Sequence, residues 1–71
     1  MVHLNSCFAD RLSELRRERS LTLIQMEKET GISKASINGW ENKTRIPRHD
    51  FVIKLAQYFG VSIDYMSGAE Q

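Results

Sequence analysis

The stretch from Gly31 to Trp40 constrains the fold of this 71-residue chain more than any other. Gly31 ends one helical pattern, where a residue in the left-handed conformation lets the chain turn sharply. Shortly after it, Ser33 can accept backbone N–H bonds and cap a new helix. Ile37 and Trp40 then have the i, i+3 spacing of a helix face that packs on a core. The pattern predicts two helices joined by a short glycine turn, the second of which displays its outer face.

The outer face of that second helix is polar, and positive charge gathers around it. Its hydrogen-bonding side chains are Lys34, Ser36, Asn38 and Asn42. The net charge of the chain is only +1, but residues 34–48 hold four basic residues against the single acid Glu41. The positive surplus therefore lies on the displayed helix and just after it. Two interpretations stay open here, a nucleic-acid contact and a merely solvated face.

The remaining apolar stripes and caps predict further helices and no strand. The first helix is capped by Asn5 or Ser6 and runs to about Arg19. Thr22 and Gln25 have the spacing of a capping box at the start of the second helix. The later helices have the predicted ranges Leu23 to about Thr30, Lys34 to about Asn42, about His49 to Phe59, and Ile63 to about Met66. We expect an all-α fold of five short helices, a single domain over residues 1–71 with its core in 6–66.

Composition argues against several classes of function. The lone Cys7 permits no internal disulfide, and no targeting or membrane-length segment is evident, so we expect a cytoplasmic protein. His3 and His49 are isolated from any cluster with metal-ligand spacing. The sequence contains no nucleophile–base pair, phosphate loop or paired carboxylates. We expect neither an enzyme nor a cofactor, and no small-molecule ligand is evident.

Three arginines near the end of the first helix have two possible roles. Arg16, Arg17 and Arg19 lie where cations favour the helix dipole, and they could pair with Glu14 or Glu18. They could equally contact phosphate. The sequence does not decide between these roles.

The chain also resembles a known family over most of its length. The matching segments are Arg11-Leu12, Leu15-Arg16, Leu21-Thr22, Gly31-Ile32-Ser33, Ser36-Ile37, Trp40-Glu41-Asn42, Pro47, Leu55-Ala56 and Phe59 to Met66. From Arg11 to Met66 the chain is similar to the lambda-repressor/Cro-type (XRE-like) helix-turn-helix domain. The resemblance implies a lambda-repressor-like fold and a sequence-specific transcriptional regulator, a Cro-like small phage repressor that acts as a dimer. Its helix 34–42 would enter the major groove of double-stranded operator DNA.

The resemblance also assigns contacts to individual positions. The implied base contacts are Lys34, Ala35, Ser36, Asn38 and Gly39. The implied phosphate contacts are Ser33, Asn42, Lys43, Thr44 and Arg45. Among the base readers, Lys34 could donate to guanine, Asn38 could pair with adenine, and Ala35 could only touch a thymine methyl group.

Several positions depart from the family pattern on the face that would meet DNA. Leu23 stands where the family usually has a phosphate-binding glutamine, and Ile24 replaces a usual polar residue. Glu27 replaces a small residue that lets the two helices pack closely. Lys43 replaces the glycine that usually follows the third helix, although Asn42 could itself adopt a left-handed turn.

These departures support a second hypothesis, a protein-binding modulator or anti-repressor. Leu23 and Ile24 are adjacent on one helix and cannot both point inward, so at least one adds apolar surface to the face. Such a face could pair with a partner repressor as a heterodimer. The sequence therefore leaves two partners open, operator DNA bound by a homodimer and a repressor protein.

Overall fold

Five α-helices make up most of residues 4–68, the part of the chain that the computed structural model describes, with side chains from residue 7 onward. The helices are α1 (Leu4–Glu18), α2 (Leu23–Thr30), α3 (Lys34–Glu41), α4 (His49–Phe59) and α5 (Ile63–Ser67). No strand occurs between residues 4 and 68, and the all-α prediction is confirmed. None of these helices has the length and apolar character needed to cross a membrane. The side chain of His3 lies outside the described residues.

Local capping sets the helix ends around the central turn, as the sequence predicts. The Thr22 hydroxyl accepts the Gln25 backbone N–H at 3.1 Å, and the Gln25 side chain accepts the Thr22 N–H at 2.7 Å. Gly31 follows α2 in the left-handed conformation with φ of 77°. Ser33 then caps α3 by accepting the Ser36 N–H at 3.1 Å. The capping box and the glycine turn are therefore both confirmed.

The start of α1 differs from the prediction, whereas its end at Glu18 agrees with the predicted end at about Arg19. The helix begins at Leu4, so Asn5 and Ser6 lie inside it and neither is the cap, because an N-cap residue needs an extended backbone. The helix ends at Glu18 without a glycine. Instead Ser20 takes the left-handed conformation with φ of 55°, and its N–H donates to the Arg17 carbonyl at 3.0 Å.

The turn after α3 corrects the prediction for Asn42. Asn42 keeps a right-handed backbone with φ of −86°, because its N–H still donates to the Asn38 carbonyl at 2.9 Å. The chain reverses one residue later, and Lys43 adopts the left-handed conformation with φ of 65°. A lysine therefore occupies the strained position at which the family that the sequence resembles usually has glycine.

The core lies between α1, α3, α4 and α5, with α2 packed on α3. Its buried members are Phe8, Leu12, Leu15, Met26, Ile32, Ile37, Trp40, Val52, Leu55, Ala56, Phe59 and Met66. Trp40 is only 4% exposed and its ring meets those of Phe8 and Phe51, at centroid distances of 6.0 and 5.2 Å. The inward orientation predicted for Ile37 and Trp40 is confirmed, which leaves the opposite side of α3 to solvent.

Polar contacts join the elements around this core. Arg19 donates to the carbonyl oxygen of Phe59 at 2.7 Å, close to the end of α4, where a cation is favoured. The Tyr58 hydroxyl donates to the Glu29 carboxylate, which links α4 to α2. That hydrogen bond, helped by partial burial, raises the pKa of Tyr58 above its ordinary value.

Candidate nucleic-acid interface

An ion pair ties α3 to α1. Arg16 Nε donates to Glu41 Oε2 at 2.7 Å and Nη2 donates to Oε1 at 2.9 Å, while Nη1 donates to the Leu21 carbonyl at 2.9 Å. The hydrogen bond to Glu41 raises the pKa of Arg16 above its ordinary value. Among the described residues, the ion-pair partner of Arg16 is thus Glu41 of α3, rather than Glu14 or Glu18. The paired hydrogen bonds hold the angle of α3 against α1.

The start of α3 is held by a residue that sequence reasoning assigned differently. Glu27 does not fill the space between two helices; it is exposed, and its Oε1 accepts the backbone N–H of Lys34 at 2.9 Å. This contact satisfies one of the N–H groups that a helix start leaves open. The sequence gives no signal for the contact between Glu27 and Lys34, because the Gly31 turn is what brings the two residues together.

The proposed base-reading positions of α3 differ in their exposure to solvent. Lys34, Ala35 and Asn38 are exposed, and Ser36 is half-buried. Gly39 is buried. Three of the five predicted base contacts are therefore open to a ligand, while Gly39 is covered.

The residue that covers Gly39 is Arg45. The Arg45 side chain folds back along α3, and its Nη1 donates to Ser36 Oγ at 3.0 Å. A Cβ atom added to Gly39 would lie 2.5 Å from Arg45 Cδ. The sequence carries a signal for this arrangement, a glycine in the middle of a short helix, but does not identify its partner.

The predicted phosphate contacts flank the two ends of α3 and are all exposed. Ser33 lies at the start of the helix, and the others follow its end in the order Asn42, Lys43, Thr44 and Arg45. Lys43 Nζ lies 3.5 Å from Asp10 Oδ1, and both side chains are largely exposed. Such a surface pair is weak, so Lys43 can exchange Asp10 for another anion at little cost.

An apolar groove separates the start of α2 from α3. Leu23 is half-buried against the core, whereas Ile24 is 53% exposed. The prediction that at least one of them is exposed is confirmed. The groove is lined by Arg16, Thr22, Leu23, Ile24, Lys34, Ala35 and Asn38. Apolar and hydrogen-bonding groups therefore share the surface beside the outer face of α3.

No metal-binding chemistry accompanies this surface. Within the part of the chain that the structure describes, no group of three or more His, Cys, Asp or Glu side chains could hold a metal ion. What the surface offers is a rigid helix with exposed donors, basic residues after its end and a nearby apolar groove. These features suit contact with a large polyanion or with another protein.

Comparisons with known proteins agree with this geometry. A family model described as "Helix-turn-helix" matches residues 12–66. The chain is also similar to the "Uncharacterized HTH-type transcriptional regulator YobD" of Bacillus subtilis (strain 168), with 36% identity over 61 residues. The similarity covers 86% of this chain and 54% of the relative, so the chain spans about half the relative's length. No solved structure gives a significant match.

Proposed function

The chain belongs to the lambda-repressor/Cro-type (XRE-like) helix-turn-helix family, and from this we propose that it regulates transcription by placing α3 in the major groove of operator DNA. One observation carries the proposal: the Arg16–Glu41 ion pair ties α3 to α1, while the exposed face of α3 carries Lys34 and Asn38. A helix held this rigidly can present donors to base edges in one register. The relative's description as a transcriptional regulator supports the same role.

We assign the residues of this face to two kinds of contact. Lys34 donates to guanine O6 or N7, Asn38 pairs with adenine, and Ala35 packs on a thymine methyl group. Ser36 lies farther round the helix, half-buried beside Arg45. The phosphate contacts are Ser33, Asn42, Lys43 and Thr44. These residues position the helix without carrying sequence information.

We further propose that residues 1–71 form one domain and that two copies bind one operator, as expected of a Cro-like phage repressor. Few side chains per copy reach base edges, and each good contact discriminates by about 1–3 kcal/mol. Specific binding is typically about 4–10 kcal/mol stronger than binding to random DNA. A second copy on an adjacent half-site doubles the number of contacts. Sedimentation of the protein with and without operator duplex measures this stoichiometry.

The test combines a selection from random duplexes with titrations at several salt concentrations. The wild-type protein should enrich a defined sequence. Lys43→Ala should weaken binding to all duplexes alike and reduce the salt slope by about 0.9 for one lost phosphate contact. Lys34→Ala should instead reduce the preference for the selected sequence over random DNA. Lys54→Ala, which removes an exposed lysine of α4, is the matched control and should change neither quantity.

Two outcomes would contradict the DNA-binding proposal. One is that no sequence is enriched and that binding to random duplexes shows no salt dependence. The other is that wild type and a Lys34→Ala/Lys43→Ala double variant bind the duplexes with equal affinity. Either result would direct attention to a protein partner.

A second candidate function, a modulator or anti-repressor that pairs with a repressor protein, is favoured by the exposed Ile24. Together with Leu23 and Ala35 it lines the apolar groove beside α3. Burying Ile24 against a protein partner is worth about 1–3 kcal/mol, so Ile24→Gln should weaken partner binding by roughly 5- to 150-fold. On DNA the same variant should bind as well as wild type or better.

The two candidates separate in paired titrations of this variant. One titration uses operator duplex, and the other uses a repressor encoded next to this protein. Ile63→Gln alters an exposed isoleucine on α5 and controls for general loss of apolar surface. If Ile24→Gln binds the repressor as tightly as wild type does, the modulator proposal is wrong.

A further inference from the structure

We propose that Arg45 reads a guanine base in the major groove, although it lies in the loop after α3 where phosphate contacts are expected. The inference rests on the proposed DNA binding and identifies a further specificity-determining residue of the same surface. Three features of the structure support it: where the loop is attached, what Gly39 makes room for, and where the guanidinium is held.

The loop after α3 folds back onto the last turn of the helix. The backbone N–H groups of Thr44 and Arg45 both donate to the carbonyl oxygen of Gly39, at 2.9 and 3.2 Å. The Thr44 hydroxyl donates to the same oxygen at 3.2 Å. Three hydrogen bonds to one carbonyl fix the point from which the Arg45 side chain starts. That point lies beside α3.

Gly39 provides the space that the Arg45 side chain occupies. A Cβ atom at position 39 would lie 2.5 Å from Arg45 Cδ and 2.9 Å from Cγ, closer than side-chain carbons approach one another. The methylene stem of Arg45 therefore lies where another residue's side chain would begin. With any larger residue at position 39, the Arg45 side chain would have to shift from this position.

The guanidinium is held at the half-buried Ser36, on the flank of α3 next to Trp40. Arg45 Nη1 donates to Ser36 Oγ at 3.0 Å, and Ser36 in turn contacts the cap residue Ser33, with 3.0 Å between the two hydroxyl oxygens. A guanidinium has five N–H donors in a planar fork, so one bond to serine leaves donors for a bidentate contact. O6 and N7 of guanine are the acceptors that match this fork in the major groove.

The same arrangement accounts for the small residues of α3. Ala35, Ser36 and Gly39 have short or absent side chains at the positions assigned to base contact. A long side chain supplied from the loop compensates for them, because Arg45 lies over Gly39 and reaches Ser36. Base reading by this chain then depends on two segments, α3 itself and the loop that follows it.

The experiment replaces single guanines of the selected operator with 7-deazaguanine, which lacks the N7 acceptor. In addition to any guanine read by Lys34, wild-type protein should lose about 10-fold in affinity at one further guanine of each half-site. Arg45→Ala should make binding insensitive to that substitution and relax selection at that position only. Gly39→Ala should have the same effect with the arginine still present, because the added methyl group displaces it. Thermal melting of each variant checks that the fold is kept.

A double-mutant cycle and a matched control complete the test. If Gly39 acts only by making room for Arg45, the Gly39→Ala/Arg45→Ala variant should lose no more discrimination at the guanine position than either single variant loses. Lys43→Ala removes a neighbouring cation of the same loop. It should weaken all duplexes alike and keep the full sensitivity to 7-deazaguanine.

Two results would overturn the inference while leaving DNA binding intact. If Arg45→Ala weakens every duplex equally and lowers the salt slope by about 0.9, Arg45 is a phosphate contact. If Gly39→Ala keeps the guanine sensitivity, the glycine does not position the arginine. If no operator is enriched and binding lacks salt dependence, the proposed function itself fails, which is a different observation.

Discussion

Lys43 is a residue at which the requirements of the fold and of the interface oppose each other. Its left-handed backbone, with φ of 65°, is unfavourable for a residue with a Cβ atom by about 1–2 kcal/mol. In return, a lysine at this turn adds a positive charge at the end of α3, where we expect a phosphate. A glycine at position 43 would relieve the strain of the left-handed backbone and would remove the positive charge.

We therefore expect Lys43→Gly to stabilise the protein and to weaken DNA binding. Relief of the left-handed strain, partly offset by the greater freedom of glycine in the unfolded chain, should raise the free energy of unfolding by about 0.5–1 kcal/mol. Urea denaturation measures this change, and titrations with random duplex measure the binding.

Ser20→Gly is the matched control for Lys43→Gly. Ser20 is the other non-glycine residue with positive φ among the described residues, at 55°, and it lies after α1. Its replacement should stabilise the protein to a similar extent and leave DNA affinity unchanged. A fall in stability for both variants would contradict the strain argument.

At the scale of elements, the ion pair between α1 and α3 is the contact that orients the candidate interface. The side chains of Arg16 and Glu41 are only 19% and 9% exposed. Removing the arginine leaves the carboxylate largely buried without its partner. We expect Arg16→Ala to lower the free energy of unfolding by about 2–3 kcal/mol, measured by urea denaturation.

The neighbouring Arg17 gives the comparison that isolates this effect. Arg17 is exposed on the same helix, so Arg17→Ala should change the free energy of unfolding by no more than about 0.5 kcal/mol. Equal effects of the two alanine variants would show that the Arg16–Glu41 pair contributes nothing beyond helix propensity.

The contact between α4 and α2 predicts a pH dependence. The hydrogen bond to Glu29 raises the pKa of Tyr58 above its ordinary value of 10.0. Because the pKa is higher in the folded state, the contribution to stability is complete below pH 10 and is lost as the pH rises through the raised pKa. Urea denaturation on the alkaline side should therefore show a steeper loss of stability for wild type than for Tyr58→Phe. Parallel curves for the two proteins would contradict this assignment.

At the scale of the whole molecule, Trp40 joins the helices into one core. Its ring contacts Phe8 of α1 and Phe51 of α4 while its backbone belongs to α3. We expect Trp40→Ala to cost about 3–5 kcal/mol, a large part of the stability of a domain of this size. Far-UV circular dichroism during thermal melting measures the loss. Ile46→Ala, at a side chain that is 79% exposed, should melt like wild type.

The helices were predictable because their signals are local. The capping box at Thr22, the cap at Ser33 and the left-handed Gly31 each depend on residues within one turn of chain. The i, i+3 spacing of Ile37 and Trp40 likewise identifies a buried stripe without knowledge of its partner. The prediction was wrong at Asn5 and Ser6, because both lie inside a segment that stays helical. After α3 the left-handed residue is Lys43 rather than Asn42.

By itself, the sequence determined the five helices, the buried side of α3 and the placement of positive charge beside it, because each follows from neighbouring residues. Only the tertiary structure decided which long polar side chains meet. Arg16 reaches Glu41 across 25 residues, and Arg45 lies over Gly39 and donates to Ser36. Arginine and glutamate side chains are long and flexible and have several possible partners of suitable charge. The packing of the apolar core sets the distances between backbones, and those distances select one partner from the several that the sequence allows.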